Sequence, residues 1–182
     1  EAAQAGVTCV STGPGSANVI GGTFAALKTY GRGLDEMLIK DPVAVKAALG
    51  ENPKHPESEH KSPHTRMAVA ALFRQEMVDA QDYAKKMADP DADKKPDRNL
   101  GMEALIPVLE GKLPLKIHAH RADDILSALR LAEEFNLHLS LDHCTEGHLI
   151  ADILKKKLDT QPAGVIIGPL LSERSKIELK NM

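Results

Sequence analysis

The sequence predicts an α/β fold built on parallel strands, and three observations carry that expectation. The C-terminal half alternates short apolar runs with amphipathic stretches: LPLKIHAH, RADDILSALRLAEEFN, LHLSLDHCTEG, HLIADILKKK and AGVIIGP. The stretches between the strand-like runs are about 10 to 15 residues long, the size of the crossover helix that parallel strands need. Near the N-terminus the β-branched run VTCVST ends at Gly-Pro-Gly, as a buried parallel strand does where it enters a loop. With 182 residues and 42% hydrophobic content, the chain fits one domain, 1–182, with a substantial core.

The elements follow in order. EAAQAG reads as the last turns of a helix stopped by Gly6, so the chain is expected to begin inside an element. Residues 7–12 form the first strand. SANVIGGTFAALKTYG has a paired glycine and mixed periodicity, which gives a loop followed by a short strand or helix. DEMLIK and VAVKAALG are two apolar stretches broken at Asp41-Pro42. Each is short enough for a strand, and their type stays open. From Pro53 to His64 the chain is polar and proline-broken, hence a loop at the surface or beside a site. Thr65 caps a helix in which Met67, Ala70, Ala71, Phe73, Met77 and Ala80 fall near helical spacing. DPDADKKPDRN is a solvated linker, and MEALIPVLEGK resumes helix until Gly111, with Pro107 as a kink or a second start. Strands are then expected at 113–120, 137–143 and 163–168, adjacent and parallel, with connecting helices on one outer face in the right-handed sense.

Charge and composition exclude some functions. Lys+Arg 23 against Asp+Glu 26 gives a net charge of -3, with no positive excess to attract nucleic acid. No apolar run approaches the roughly 18 residues of a membrane span, and the first residues lack the basic start of a signal peptide. No membrane association and a cytoplasmic location are expected. Cys9 and Cys144 lie far apart in sequence, so reduced thiols are the default.

Functional groups in parallel α/β folds collect beyond the carboxyl ends of the strands. His118, His120 and His143 all fall there, and neutral imidazole binds zinc or a similar divalent ion. The alternative is that all three are polar strand ends hydrogen-bonded to loops. Alternation puts His118 and His120 on one side if the strand reaches that far. If it stops earlier, one is a ligand and the other turns to a supporting or substrate-contacting role. His138 opens its strand at the opposite end and reads as structural, and His55, His60 and His64 lie in a loop that is ordinarily just solvated. Lys46 sits inside an apolar run, which costs desolvation unless the lysine is paired or chemically altered, although in a helix it would only snorkel. Glu51 closes the same run as an oxygen ligand or an ordinary loop carboxylate. GPGSANVIGG lacks both the Lys-Ser/Thr of a P-loop and the spacing of a dinucleotide fingerprint.

GVTCVSTGPGSANVIGG, KTYG, ALGENPK, HAHRADDI and LSLDHCTEGH occur in that order between residue 5 and about residue 170. Together they resemble the imidazolonepropionase-like branch of the metal-dependent amidohydrolases. The resemblance implies a distorted (β/α)8 TIM-type barrel that binds one or two divalent ions, usually zinc, and activates water to hydrolyse C–N bonds. It places a metal ligand at the end of strand five, matched by His118, and a metal-binding or substrate-contacting histidine at the end of strand six, matched by His143. It matches Lys46 to a carboxylated lysine that bridges two metals at the end of strand four. His143 and Lys46 are thus the catalytic candidates, and His120, Arg121 and Glu51 the substrate-binding ones. The family's H-x-H pair after strand one and its aspartate after strand eight are not in their places, which leaves the proton shuttle unassigned.

The expectation is therefore a partial barrel spanning about strands two to seven, since a closed barrel takes about 250 residues. The missing strands would come from the remainder of the same chain or from a homo-oligomer, and the chain alone would neither hold metal tightly nor turn over substrate. The expected function is hydrolysis of a small-molecule C–N bond, in a cyclic amide, an amidine-like ring or a dipeptide. Two alternatives stand beside it: a non-catalytic barrel, and a metal-free lyase with Lys46 as Schiff-base nucleophile.

Overall fold

A computed structural model describes residues 1–58, 61–91, 93, 95–160 and 163–168. Six strands form one mixed sheet: β1 Cys9–Thr12, β2 Ile20–Lys28, β3 Leu38–Ala48, β4 Leu115–Ala119, β5 Leu139–His143 and β6 Ala163–Ile167. They lie side by side in chain order, and the sheet curls into a half-barrel. β1, β2 and β3 pair antiparallel, while β3 to β6 pair parallel. The three C-terminal strands are thus adjacent and parallel, as their alternation with helices predicts. Strand order never reverses among them, which separates this sheet from a doubly wound one.

Helices α2 (Arg66–Met87) and α3 (Leu100–Leu109) connect β3 to β4, α4 (Ala122–Glu134) connects β4 to β5, and α5 (Ala151–Leu158) connects β5 to β6. A single-turn helix, α1 (Leu34–Met37), precedes β3. Residues Val45, Ala47, Leu115, Ile117, Ala119, Leu139 and Leu141 share one core with Val69, Phe73, Met77, Leu105, Val108, Ile125, Leu129 and Leu154 of the helices. Because successive side chains on a strand alternate faces, Lys46, Lys116, His118, Ser140 and Asp142 project to the other, inner side.

Local chemistry sets the helix ends. Thr65 Oγ1 accepts from the Ala68 amide at 3.1 Å and starts α2, with Lys85 and Lys86 in its last turn against the negative end of the dipole. Asn99 Oδ1 accepts from the Gly101 and Met102 amides at 3.0 and 3.2 Å and starts α3. One helix runs through Pro107, so that proline marks no second start. Gly111, at φ 69°, takes the chain out of α3 as expected. Ala3–Ala5 is a 3₁₀ turn ended by Gly6 at φ 87°.

Several expectations need correction. β1 is exposed along its length and antiparallel to β2, not a buried parallel strand. A short β-branched run reads alike in either setting, and only its partner decides. The two stretches around Asp41-Pro42 are one strand, β3. Pro42 is tolerated because the ladder is already irregular there: Phe24 pairs Ala44 but Ala26 pairs Lys40, so extra β3 residues bulge out around the proline. Pairing with β4 begins only at Val45. In α2 the buried stripe is Val69, Phe73, Met77, Ala80 and Tyr83, whereas Met67 is 75% exposed. The helix expected over HLIADILKKK begins as a 3₁₀ turn, Thr145–Ile150, and becomes α-helical at Ala151. Among the described residues no helix is long and apolar enough to cross a membrane.

Phe73 is fully buried and meets Phe135 edge to face, with ring centroids 6.4 Å apart. In urea denaturation Phe73→Ala should lose about 3–5 kcal/mol, whereas Met67→Ala should stay within about 0.5 kcal/mol. Equal losses would mean that α2 is rotated from the position described.

Candidate metal centre

Strand alternation delivers the first member of the site. His118 lies on the inner side of β4, in register with Ala48 of β3 and Asp142 of β5, and is 3% exposed. His120 follows one residue beyond β4, also buried. The end of β4 is pinned on both sides: the Leu49 amide donates to His118 O at 3.0 Å, Cys144 N to Ala119 O at 3.1 Å, and Glu146 N to His120 O at 2.8 Å.

His143 arrives by a different route. In strict alternation it would join Leu139 and Leu141 on the helix side. Instead His143 and Cys144 take left-handed backbone conformations, φ 70° and 43°, and the turn they make swings the imidazole to the rim. Left-handed residues other than glycine cost about 1–2 kcal/mol each and persist where surrounding bonds enforce them. The enforcing bonds here are Cys144 N to Ala119 O and Gly147 N to Cys144 O, the latter 2.9 Å. Burial pushes the Cys144 thiol above its ordinary pKa, so it behaves as an inert packing group.

The three rings form a compact triangle. Centroids of His118 lie 4.6 Å from His120 and 4.8 Å from His143, and His120 and His143 stack at 4.8 Å with 20° between planes. One nitrogen from each ring lies within 4.8 Å of the others. Ligand nitrogens on a tetrahedral zinc sit roughly 3.3 Å apart, so small ring rotations separate this arrangement from a closed ligand set. His143 Nδ1 is 2.6 Å from Gly168 O. A carbonyl only accepts, so Nδ1 bears the proton and Nε2 keeps its lone pair for an ion. His120 Nδ1 lies 2.7 Å from Thr145 Oγ1, which fixes that ring too. Imidazoles held through their second nitrogen by an oxygen are what a zinc-type site requires. The donor set fits a divalent ion.

Lys46 is 4% exposed and its Nζ is 3.0 Å from Asp142 Oδ2, while Lys116 Nζ is 2.5 Å from Oδ1 of the same carboxylate. The paired environment that a lysine in an apolar strand demands is thus supplied by Asp142, a residue the sequence reading passed over. A signal existed: Asp142 has the parity of Ser140 in LSLDH, and Lys116 that of His118 in LKIHA.

The remaining candidates are dispersed. Glu51, in the turn after β3, binds Lys54 at 2.7 Å and Arg66 at 2.6 Å, and Arg66 Nε also donates to buried Asp124 at 3.0 Å. Arg121 precedes α4 and pairs with Asp123 at 3.0 Å. His138 is exposed at the end of β5 opposite His143, apart from the triangle. His64 is exposed, and His55 lines a cavity of about 410 Å³ with Val45, Leu72, Glu76 and Leu105, apart from the triangle. His60 lies outside the described residues. Both cysteines are free thiols, Cys9 exposed and Cys144 buried.

With this geometry in place, the likeness to known proteins is specific. The chain is 27% identical over 185 residues to the amidohydrolase tasK of Hapsidospora irregularis, covering 89% of this chain and 19% of that protein. A crystal structure of an amidohydrolase from Thermotoga maritima MSB8 matches with a TM-score of 0.88 and 40% identity, over 97% of this chain and 46% of that one. The chain therefore spans less than half the length of either relative. No family model matches it. The two likenesses support an amidohydrolase family, with the sheet as part of its barrel.

The Glu51–Arg66–Asp124 chain ties the loop after β3 to the starts of α2 and α4, and its charges are unequal in effect. The bond from Lys54 holds the Glu51 carboxyl below its ordinary pKa against some burial, with Arg66 adding to the lowering. Burial pushes Asp124 up, and Arg66 only partly opposes it. Glu51 therefore contributes stability that is present above the unfolded carboxylate value, about 4.3, and is lost as pH falls through its lower folded value. Asp124 acts in the opposite sense, its contribution falling as pH rises from the unfolded value through the raised folded one. Carboxyl NMR titration should place Glu51 below and Asp124 above their ordinary values. Arg66→Met should raise both, and an unmoved Asp124 would refute the pairing.

Proposed function

We propose that the chain is part of a (β/α)8 metal-dependent hydrolase of the imidazolonepropionase-like branch, acting on a C–N bond of a small molecule. The four parallel strands β3 to β6 would be strands four to seven, which puts Lys46 on strand four, His118 on strand five and His143 on strand six, whereas the antiparallel pairing of β1 and β2 does not fit strands two and three of an all-parallel barrel. The observation that carries this reading is the convergence of His118, His120 and His143 from the ends of β4 and β5, with ligand atoms within 4.8 Å of one another. The 40% identity to the Thermotoga amidohydrolase supports it.

His118, His120 and His143 would hold the ion, zinc being the first choice for an all-imidazole set. A divalent ion in this place supplies Lewis-acid polarisation of a scissile carbonyl and a lowered pKa for water. The chain's own residues do the rest. Gly168 O and Thr145 Oγ1 orient His143 and His120. Burial of His118 and His120 closes the inner side, while the half-buried His143 leaves the rim side open to a substrate. Arg121, at the same rim, and Glu51 are candidate substrate contacts. Lys46 would bridge a second ion only when carboxylated, and as the ammonium group paired with Asp142 it does not. The substrate would be a cyclic amide, an amidine-like ring or a dipeptide, met in the cytoplasm, with the remaining strands supplied by a longer chain or by further copies. The lyase alternative draws no support from geometry, since Lys46 Nζ is turned to Asp142.

Metal analysis and assay of the full-length protein against cyclic amides and dipeptides test this reading. Stoichiometric zinc should be lost in His118→Ala together with turnover. Thr145→Val, which removes only the support of His120, should weaken metal affinity by roughly 10- to 100-fold. The isolated 182-residue chain should hold zinc weakly. Undiminished metal and turnover in His118→Ala would refute the assignment, and trapping of a carbonyl substrate on Lys46 by borohydride would favour the lyase.

A further inference from the structure

Beneath the histidine triangle lies an arrangement whose other members, Lys116 and Asp142, have no part in the hydrolase reading. Lys46 of β3 and Lys116 of β4 stand opposite each other in register, and Asp142 of β5 reaches back one strand step to hold both. Its two oxygens are divided between them, Oδ2 to Lys46 at 3.0 Å and Oδ1 to Lys116 at 2.5 Å. Side-chain exposures are 5% for Lys46, 8% for Asp142 and 19% for Lys116. The lysine stems are walled in. A Cβ at Gly21 would lie 3.4 Å from Lys46 Cγ, so the β2 backbone packs close against the Lys46 stem. The Phe24 ring faces Lys116 Nζ at 5.9 Å.

Two ammonium groups on one carboxylate leave a net positive charge on the inner side, beside a cluster suited to a cation. Buried charges without a counter-charge are strongly unfavourable, and in low dielectric they act on neighbours far more than in water. Asp142 also immediately precedes the left-handed turn that delivers His143. We propose that Asp142 is a positioning residue: it fixes the amino groups of Lys46 and Lys116 below the triangle, and its charge offsets theirs so that the triangle can accept a cation. The first half of the proposal is independent of metal; the second rests on the metal reading given above.

Each half has its own test on the full-length protein. In chelator-treated samples at one pH, amine labelling followed by peptide mass spectrometry measures Lys46 and Lys116 against Lys112, whose side chain is 71% exposed. In Asp142→Asn both inner lysines should label several-fold faster relative to Lys112, and Asp142→Glu should restore most of the protection. Lys54, whose side chain is 14% exposed and which lies outside this arrangement, should keep its protection; an equal rise there would mark a general loss of structure and overturn the positioning role. Unchanged Lys46 and Lys116 ratios overturn the positioning role.

Cobalt(II) affinity of the same proteins, read from the visible spectrum, tests the charge balance. Asp142→Asn should bind about tenfold more weakly, and Lys116→Met at least as tightly as the parent. Asp142→Asn/Lys116→Met should return to within about threefold of the parent, since removing one charge of each sign restores the balance. Equal weakening in the double variant overturns the offset. A parent protein that takes up no cobalt refutes the metal reading and the offset with it, and the labelling ratios still decide the positioning role.

Discussion

The constraint on which the structure depends is the two-residue alternation along β3, β4 and β5. One parity locks the sheet to its helices through the apolar residues Val45 and Ala47, Leu115 and Ile117, Leu139 and Leu141. The other parity carries Lys46, Lys116, His118 and Asp142, yet these too are largely buried. A curled sheet encloses its inner side, so polar residues there cannot simply be solvated. They must pair with one another, as Lys46, Lys116 and Asp142 do. A one-residue slip of β4 would send His118 into the helix layer and Ile117 to the inner side, so register and site are specified together.

The site is reached where that alternation is broken. His118 follows it, but His143 joins only because two consecutive residues adopt left-handed backbone. The 3₁₀ turn that follows supplies Thr145 to His120, and Gly168, just beyond β6, supplies the acceptor for His143. Three successive strands are therefore needed to hold three imidazoles in one place, although only two of them contribute the rings. This suits a site that must be rigid on its buried side and open at the rim.

Much of this was legible in the sequence, and the exceptions have physical causes. The C-terminal alternation of strands and helices identified β4, β5 and β6 and their parallel pairing, since crossover length and hydrophobic period both speak to it. The N-terminal third is less legible because β-branched runs do not announce their partners: β1 is exposed and antiparallel, and a bulge absorbs the proline within β3. Of the site, His118 and His143 were visible from their place at strand ends, and the convergence of His120 with them depends on how far β4 runs before it turns. Asp142 went unnoticed because an aspartate beside a candidate ligand looks like part of a polar strand end, and its two partners lie 96 and 26 residues away.

The central claim is that His118, His120 and His143 bind one divalent ion. X-ray absorption fine structure at the zinc edge of the full-length protein tests it most directly. The account predicts imidazole nitrogens at about 2.0–2.1 Å, with the imidazole scattering reduced in His118→Ala and in His143→Ala. A first shell without imidazole, or one that either substitution leaves unchanged, would contradict it.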